Sequence, residues 1–579
     1  MNRITFSLQL TGLLILLLVV PRVRAQGPVW QSVAVVPQAT AAVSTSKTMA
    51  VTADAAGNVL MVGYFYGSVM FGNTVLTSAG GEDVFIAKWS PATSSFVWAQ
   101  RAGGSQNDQA QAVAVQGNNI YVAGHFSSSV AAFGNITLAA TLNSSSGQTS
   151  MDGFLVKLTD TGGNRSFAWG WQMGGDDLDL ISSVTAVGAN VYVAGMFNNT
   201  ATLGTAQLTS EGGRDGFVAK LRDTGSSATL AWAHRLGGTA ADEAWDVEVS
   251  GTSVYVAGYF RFGVNFGTIA LSGVGNFDGY VAKLVDAGST ASFVWAQRVG
   301  GSGDDVVADI AVVGNNVYLT GSFAQYYSST TASFGPFTLT SAGNGDAYVA
   351  KLTDAATTAS FGWARRAGGP GIDYGTAVDA RGTEVFVTGI LESATADFGA
   401  LRLARTGSQR DLYVARLSDA GTAGDFVWAR QASGDSPYDV ATSVLVNGTG
   451  LYVAGAIQPP AMFGPLAVPA SAGVHVAYLA ALADPVLAAT PTPLPAAAIQ
   501  LFPNPAGQAV QLRLPVLNAA TAYVTLLDAL GRSVREQSVV LGTSGAQVEL
   551  HLSGLAPGLY HVAIRLADGR YWNYPLVLK

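Results

Sequence analysis

Alternating apolar and polar residues form short runs along most of the chain, and one such run ends in glycine seven times. The runs close at Gly63, Gly124, Gly195, Gly258, Gly321, Gly389 and Gly455, in stretches such as Val191-Tyr-Val-Ala-Gly195. An alternating pattern of this length predicts a half-buried β-strand. Repetition at a near-constant period is typical of a solenoid or a propeller.

Three further elements accompany each of these strands in a fixed order. The first is a Phe-Gly or Leu-Gly pair, beginning at Phe71, Phe133, Leu203, Phe266, Phe334, Phe398 and Phe463. The second is a strand of the form Asp-x-Phe/Tyr-Val-Ala-Lys-Leu, beginning at Asp83, Asp152, Asp215, Asp278, Asp346 and Asp411, with a degenerate copy at Val476. The third is a strand with a tryptophan, at Trp98, Trp169, Trp232, Trp295, Trp363 and Trp428.

One more short alternating run precedes each glycine-ended strand and joins it through a Gly/Asn turn, which is hairpin chemistry. Each unit therefore holds four strands, the antiparallel meander of a propeller blade. No segment of the units shows a 3.6-residue period, which excludes a helical solenoid.

The two ends of the array indicate how it closes. The seventh unit stops at Leu482 without a tryptophan strand, and a run with that pattern, Val29–Val33 around Trp30, stands before the first unit. An N-terminal strand that completes the last blade closes a propeller and removes an exposed sheet edge. We therefore expect an all-β fold over residues 26–482, a seven-bladed β-propeller rather than an open solenoid.

The ordered motifs resemble the bacterial β-propeller repeat family (SBBP-like repeats) over about residues 28–482. The matching features are the Gly-Gly pair, the following Asp, the Val-Tyr-Val-Ala-Gly strand and the Asp-Ala-Phe-Val-Ala-Lys-Leu strand. The resemblance implies a fold and a setting outside the cytoplasm. It implies no single activity, since one fold serves many functions.

The pattern changes after Leu482. Residues 483–498 are rich in Pro and Ala and predict a stiff linker; residues 499–579 show short alternating strands with Asp-Gly and Pro-Gly turns, which predicts a small immunoglobulin-like β-sandwich. This region resembles the type A C-terminal sorting domain of type IX secretion cargo. The residues that carry the resemblance are Pro503, Asn504, Pro505, Asp528, Gly531, Arg532, Gly558, Tyr560 and Lys579.

The other end of the chain predicts a signal peptide over residues 1–25. Arg3 supplies a positive charge, Leu13–Val20 is apolar, and small residues precede a cleavage site between Ala25 and Gln26. With the sorting domain, this predicts export through the periplasm of a Gram-negative bacterium to the medium or the outer-membrane surface, with no transmembrane segment after cleavage and the type IX machinery as a partner. An ordinary accessory domain is the alternative interpretation of residues 499–579.

The amino-acid composition and the motifs exclude several kinds of functional site. The chain has no cysteine, which excludes disulfides, thiolate metal sites and a cysteine nucleophile. Its net charge of −8 without clustered Lys or Arg argues against nucleic acid as a partner. The five histidines have no metal-ligand spacing, and no P-loop, zinc-protease or nucleophile-elbow motif is present. We predict no cofactor, no metal and no catalytic residue, and a monomer.

One set of carboxylates stands out. Six aspartates lie twelve residues before the glycine-ended strands, with Lys47 at that spacing in the first unit; they are Asp108, Asp179, Asp242, Asp305, Asp373 and Asp439. They are interpreted either as a ring at the mouth of the central channel that binds a cation or a polyhydroxylated ligand, or as caps of the preceding Gly-Gly turns. Capping is favoured because one turn repeated six times produces the same ring.

The remaining repeated residues favour structural roles. The lysines of the third strands are expected to be solvated or blade-edge charges, and the tryptophans and Phe-Gly phenylalanines are expected to be packed between blades. The loops at Ser127–Met151 and Ala324–Gly345 vary most and are expected to share a face with the Gly-Gly turns. We predict a non-catalytic binding or scaffold protein with a glycan or protein on that face. The alternatives are a polysaccharide hydrolase or lyase that uses the carboxylates, and a structural surface-layer component.

Overall fold

The computed structural model describes residues 27–40, 42–144, 146–162, 164–326, 331–407, 409–434, 436–470, 475–484, 487, 500–514, 521–528, 533–541, 546–566 and 571–579. All the regular elements in these ranges are β-strands, numbered β1 to β47 along the chain. The predicted all-β class is confirmed. The predicted signal peptide and its cleavage site, Ala25–Gln26, lie outside the described residues.

Most strands belong to seven antiparallel sheets that follow the sequence repeat and are called sheets 1 to 7. The first strands are β2 (Thr45–Ala53), β8 (Asp108–Gln116), β14 (Asp179–Val187), β18 (Glu243–Ser250), β24 (Asp304–Val313), β30 (Asp373–Arg381) and β36 (Val440–Asn447). The second strands are β3 (Val59–Tyr66), β9 (Asn119–Phe126), β15 (Asn190–Leu203), β19 (Ser253–Phe260), β25 (Asn316–Gln325), β31 (Glu384–Leu391) and β37 (Gly450–Ile457). The third strands are β6 (Asp83–Ser90), β12 (Asp152–Asp160), β16 (Ala206–Asp223), β22 (Asp278–Asp286), β28 (Asp346–Asp354), β34 (Asp411–Asp419) and β40 (Val476–Ala483). The fourth strands of sheets 1 to 6 are β7 (Ser95–Ala102), β13 (Arg165–Gly175), β17 (Ala228–Leu236), β23 (Ala291–Gly301), β29 (Ala359–Gly368) and β35 (Gly424–Ser433).

The Phe-Gly pairs, which the sequence placed in loops, lie in small hairpins instead. These are β4 and β5 (Ser68–Phe71, Thr74–Thr77), β10 and β11 (Val130–Phe133, Ile136–Ala139), β20 and β21 (Gly263–Phe266, Ile269–Ser272), β26 and β27 (Thr331–Phe334, Phe337–Thr340), β32 and β33 (Thr395–Phe398, Leu401–Ala404), and β38 and β39 (Ala461–Phe463, Leu466–Val468). In sheet 3 the hairpin is continuous with β15 and β16. Several of the hairpins pair with the fourth strand of the preceding sheet, as β26 does with β23, so they join neighbouring sheets.

The first strands of all seven sheets line one central cavity of 390 Å³. Hydrogen bonds connect successive first strands from sheet 3 to sheet 7, and such bonds also join sheet 7 to sheet 1. There the Thr442 hydroxyl donates to the Thr48 carbonyl (2.8 Å) and the Val51 N–H donates to the Ser443 hydroxyl (3.3 Å). An apolar cluster that includes Val51, Phe65 and Leu479 spans the same junction.

The N-terminal strand β1 (Val29–Val35) is the fourth strand of sheet 7 and pairs antiparallel with β40. Its tryptophan does not take the expected place. Trp30 pairs with Leu482 and contacts Phe463 edge-on at 5.1 Å, which is how Phe167 and its counterparts contact the Phe-Gly rings. Ser32 stands at the tryptophan position, because the bulge in β1 matches the bulge that separates Phe167 from Trp169 in β13 and so aligns Trp30 with Phe167.

Each junction from sheets 1–2 to sheets 6–7 contains the same buried group, which we call the latch. An aspartate at the end of one sheet's third strand accepts a hydrogen bond from the indole N–H of the preceding sheet's tryptophan, at 2.9 to 3.1 Å. It also accepts one from that sheet's lysine, or from Arg416 at the last junction, at 2.5 to 3.2 Å. The aspartates are Asp160, Asp223, Asp286, Asp354, Asp419 and Asp484.

The latch corrects two expectations from the sequence. The lysines are not solvated: the side chain of Lys157 is only 5% exposed, as is that of its partner Asp223. Asp484, which fell in the predicted linker, is buried and bound by Arg416 and Trp428. The repeat body therefore extends past Leu482.

Ionic contacts decide the charge state of the latch. Burial alone raises the pKa of Asp354, but hydrogen bonds from Lys283, Tyr255 and Trp295 bring it below its ordinary value. A carboxylate with a lowered folded-state pKa stabilises the fold above its unfolded pKa of 3.8, and that contribution is lost as pH falls through the folded value. The latch thus favours folding at neutral pH.

The junction between sheets 7 and 1 has no latch. Its equivalent positions hold Ala481 for the lysine, Ser32 for the tryptophan and Pro91 for the aspartate. Packing and the bonds between first strands hold this junction instead.

The C-terminal strands form two sheets. One contains β41 (Gln500–Phe502), β42 (Ala509–Leu514) and β45 (Ala546–His551); the other contains β43 (Thr521–Leu527), β44 (Ser533–Val540), β46 (Gly558–Leu566) and β47 (Tyr571–Leu578). Val510 and Leu512 of the first sheet share one apolar core with Val524 and Ile564 of the second. This is the two-layer arrangement of a β-sandwich.

We expect Asp354→Ala to lower the free energy of unfolding by about 3–5 kcal/mol, because it leaves a buried ammonium, a phenol and an indole without their acceptor. Asp397→Ala is the matched control, since its pair with Arg402 is exposed and worth under about 1 kcal/mol. Urea unfolding followed by tryptophan fluorescence measures both. Equal losses in the two variants would refute a structural role for the latch.

Candidate functional site

Five of the six aspartates singled out by sequence cap the turns that precede them. The Gly104 N–H donates to Asp108 at 2.6 Å and the Gly301 N–H to Asp305 at 2.7 Å. The N–H groups of Gly238, Gly369 and Ser436 donate to Asp242, Asp373 and Asp439. Neither carboxylate oxygen of Asp179 has a hydrogen-bond partner among the described residues. All six side chains have 0% exposure. The geometry of the five is that of the capping interpretation.

Each of the six aspartates except Asp439 lies beside the aspartate that opens the preceding sheet's third strand. Gly103 separates one such pair: its φ is +128°, and a Cβ there would overlap the carboxylates of Asp83 and Asp108. Burial raises the pKa of Asp242 and of Asp305 to about 7, and that of Asp179 to about 8 with a further contribution from Asp152. The Gly-Gly pair is thus required where two carboxylates approach one turn.

Lys47 does not belong to this set. The register aligns Ser46, not Lys47, with Asp108, because Ser46 pairs with Phe65 as Asp108 pairs with Phe126. The turn between β2 and β3 is one residue longer than its counterparts, so counting back twelve residues from Val59 stops one residue short of Ser46. The Ser46 hydroxyl accepts from the Ala477 N–H at 2.9 Å and joins sheets 7 and 1.

The central cavity is lined by the bulged residue of every first strand. These residues are Met49, Gln111, Ser182, Trp245, Ala308, Thr376 and Thr442. Six of the seven are small, polar or aliphatic, and one is a tryptophan. Apolar side chains, including Met49 and Trp245, therefore line this cavity together with polar ones such as Gln111 and Ser182.

Carboxylates on three neighbouring first strands lie next to this cavity, namely Asp246, Glu248, Asp309 and Asp379. Asp309 accepts from the Val378 N–H and Asp379 from the Val446 N–H, both at 2.6 Å, so each joins its sheet to the next. Burial and the charge of Asp246 raise the pKa of Glu248 to about 8, and burial raises that of Asp379 to about 6. Among the described residues, no group of three or more Asp, Glu or His side chains is arranged to hold a metal ion.

The ends of the second and fourth strands form one face of the repeat body, which we call the loop face. The Gly-Gly turns and the loops that precede the third strands contact each other there, as Asn143 and Ser144 contact Asp176. The variable loops thus lie beside the capped turns, in the arrangement that the sequence predicts.

An aromatic group on the loop face of sheet 4 was missed by the sequence analysis. Trp245 contacts Tyr259 at 5.2 Å between ring centroids, and Tyr259 contacts Phe277 at 5.0 Å. The Arg261 guanidinium lies over Phe277 (5.7 Å) and over Phe262 (4.8 Å). The rings form a continuous path from the central cavity outward, and we call these five residues the aromatic path.

Hydrogen bonds hold the inner part of this path in place. The buried carboxylate of Glu243 accepts from the Trp245 indole at 2.7 Å and from the Tyr259 hydroxyl at 2.6 Å, and Arg214 donates to it as well. Phe262 at the outer end is 59% exposed and has a φ of +65°, and the aligned Gly67 and Asn199 of sheets 1 and 3 also have a positive φ. The path is fixed at one end and open to solvent at the other.

The sorting-motif residues in the described ranges tie the last strand of the C-terminal sandwich to its first. The Asn504 amide donates to the Pro575 carbonyl (2.8 Å) and accepts from the Val577 N–H (2.9 Å), while the Lys579 N–H donates to Ala506. The Tyr560 hydroxyl bonds the Ala556 carbonyl in the adjacent turn. Gly531 and Arg532 lie outside the described residues.

Comparison with known proteins identifies the class of the C-terminal region. The secretion system C-terminal sorting domain family matches residues 500–573. The match indicates export through type IX secretion and supports a cell-surface or extracellular location in Bacteroidetes-type bacteria. No helix in the described part of the chain has the length and apolarity to cross a membrane.

The repeat body has more distant relatives. The regulatory protein FlaEY of Caulobacter vibrioides is 25% identical over 307 residues, which are 50% of this chain and 30% of that protein. The sialidase of Trypanosoma rangeli, solved in complex with sialic acid, aligns with 94% of this chain and 87% of its own at 10% identity and a TM-score of 0.34. A likeness at that TM-score supports no inference about activity.

We expect Glu248→Gln to reduce the loss of stability as pH rises from the unfolded pKa of 4.5 to about 8. The raised folded-state pKa means that Glu248 contributes stability below its unfolded value of 4.5, and that this contribution disappears as pH rises through about 8. Melting temperatures between pH 5 and pH 9 measure the effect. Asp425→Asn, an exposed carboxylate 80% accessible, is the control and should leave the profile unchanged. Parallel profiles for Glu248→Gln and the unmodified chain would contradict the expectation.

Proposed function

We propose that the chain is an exported, non-catalytic binding protein built as a closed seven-bladed β-propeller, with the loop face as its binding surface. The observation that carries the proposal is the contrast between that face and the rest of the body. The repeated carboxylates are bound within or between sheets, whereas the aromatic path on the loop face ends at an exposed ring. Binding surfaces are often made by variable loops on a rigid scaffold.

Ring closure is supported by two contacts across the junction of sheets 7 and 1. The chain's own N-terminal strand completes sheet 7, and the bonds of Thr442 and Ser443 reach sheet 1. Closure leaves only the short outer edges of a propeller, which limits edge-to-edge association in a β-protein without disulfides.

The carboxylates near the cavity favour the non-catalytic proposal over a hydrolase or lyase. An acid and a base on a glycoside must both face the substrate, whereas Asp309 and Asp379 already bind main-chain N–H groups of the next sheet. We therefore assign them to the joining of sheets. Incubation of the full chain with polysaccharides, followed by assay of reducing ends and unsaturated products, tests this assignment, and steady product release would overturn it.

Deletion of residues 27–35 should lower the melting temperature, because it exposes the edge of β40 and removes Trp30 from its contact with Phe463. A synthetic peptide of residues 27–36 should restore the melting temperature when added in excess, and a scrambled peptide of equal composition should not. An unchanged melting temperature after the deletion would contradict closure of sheet 7 by β1.

Deletion of residues 500–579 should retain the protein in the periplasm, because the sorting domain is the part that type IX secretion recognises. Protease treatment of intact cells and immunoblotting of the medium measure the location. The truncated body should melt at the temperature of the full chain, which shows that retention is not a result of misfolding. Surface or medium location of a folded, truncated body would contradict this role.

A further inference from the structure

Seven equivalent sheets provide a comparison within one molecule. Residues that the fold requires recur in most sheets, as the capping and latch aspartates do. A residue that departs from the repeat at an accessible position needs another explanation. Aligning the sheets by strand register therefore distinguishes the positions that the fold requires from the positions that are candidates for binding a ligand.

Sheet 4 departs from the repeat at three neighbouring positions. The equivalents of Trp245 are Met49, Gln111, Ser182, Ala308, Thr376 and Thr442. The equivalents of Tyr259 are Tyr64, His125, Met196, Ser322, Ile390 and Ala456. The equivalents of Phe277 are Glu82, Met151, Arg214, Gly345, Arg410 and His475. Sheet 4 alone has Phe, Tyr or Trp at all three.

Packing between the sheets does not require these aromatic side chains. Trp245, Tyr259 and Phe277 are each only half-buried, and Phe262 is exposed. The six other sheets fold with smaller or polar residues at the same places. Aromatic faces that remain accessible are suited to contact the apolar face of a ligand.

The charge at the outer end of the path, away from the carboxylates beside the cavity, favours a ligand with a negative group. Among the described residues, the buried Nε atom of Arg261 has no hydrogen-bond partner, and no carboxylate forms an ion pair with that side chain. Arginine binds carboxylates through paired hydrogen bonds. The Glu243 carboxylate, by contrast, is occupied by Trp245, Tyr259 and Arg214.

The cavity at the inner end of the path favours a polyhydroxylated ligand. Its volume of 390 Å³ lies within the range of about 300–1,000 Å³ common for small-molecule sites. Gln111 and Ser182 line this cavity together with Trp245, while the Thr376 and Thr442 hydroxyls there already donate to main-chain carbonyls. The amide of Gln111 and the hydroxyl of Ser182 are suited to bond sugar hydroxyl groups while the indole contacts the ring of a sugar.

We propose that the aromatic path binds an acidic glycan, with a pyranose ring against Trp245 and Phe277 and a sugar carboxylate on Arg261. The inference rests on the proposed binding function and assigns it a site and a ligand class. No proton transfer or bond cleavage is involved.

Titration calorimetry of the full chain with oligogalacturonate and alginate oligomers tests the proposal, with uncharged cello-oligosaccharides for comparison. We expect the acidic oligomers to bind and the uncharged ones to bind at least about tenfold more weakly, since a hydrogen bond to a charged group contributes about that factor. Added salt should weaken binding of the acidic oligomers.

Three variants locate the site. Arg261→Gln and Trp245→Ala should each weaken binding of the acidic oligomer by about tenfold or more. Tyr438→Ala is the matched control, because Tyr438 is a 65% exposed ring on the loop face of sheet 7 and lies outside the path. Melting temperatures show that each variant is folded, and Phe277→Leu replaces Trp245→Ala if the latter unfolds.

The possible results separate this inference from the wider proposal. Unchanged affinity in Arg261→Gln and Trp245→Ala, or an equal loss in Tyr438→Ala, overturns the assigned site. Preference for the uncharged oligomers overturns the ligand class but leaves a binding function in place. If the acidic oligomers do not bind while envelope proteins or other glycans do, the inference fails and the proposed function stands; if nothing binds, both fail.

Discussion

Burial of a carboxylate at six sheet junctions is the constraint on which the repeat body depends. A charged group away from water is costly unless its hydrogen-bonding capacity is filled. At the junction of sheets 4 and 5, Asp354 meets this condition with Lys283, Tyr255 and Trp295 from the neighbouring sheet. Because the donors and the acceptor come from different sheets, the bonds form only when the sheets have the correct relative position. In this chain without cysteine, the buried hydrogen bonds and ion pairs, together with apolar packing, thus fix the relative position of neighbouring sheets.

The missing latch at the junction of sheets 7 and 1 follows from how the chain begins and ends. Sheet 7 contains strands from both ends of the repeat body, so its fourth strand, β1, is separated from β40 by more than 400 residues of sequence. Its contacts are of two kinds, main-chain pairing along β1 and hydroxyl bonds between first strands. Neither kind contains a buried ion pair. The contacts between sheets 7 and 1 therefore use groups that need no charged partner from the far end of the chain.

The sequence predicts the local elements of this fold better than its long-range partners. Alternation and turn glycines mark the strands, because both arise from neighbouring residues. Lys157 appeared solvated because its acceptor, Asp223, lies 66 residues further along and in another sheet. Lys47 was misaligned by one extra turn residue, and Trp30 was matched by residue type to the tryptophan position although it aligns with Phe167. The omission of the aromatic path has a different explanation. The repeat pattern shows the residues that the units have in common, whereas only sheet 4 combines aromatic residues at the positions of Trp245, Tyr259 and Phe277.

That last omission bears on how a ring of similar units acquires specificity. Seven near-equivalent sheets present the same groups seven times, and a ligand without such symmetry cannot distinguish one of them from another. Selective binding therefore requires that at least one sheet differ from the rest where the ligand makes contact. The aspartates beside the turns, alike in six sheets and fully buried, cannot provide that difference. The residues of sheet 4 on the loop face do, because they combine accessible rings with an arginine whose Nε lacks a partner among the described residues. In such a molecule the repeated residues account for the fold, and the departures from the repeat indicate where function is to be sought.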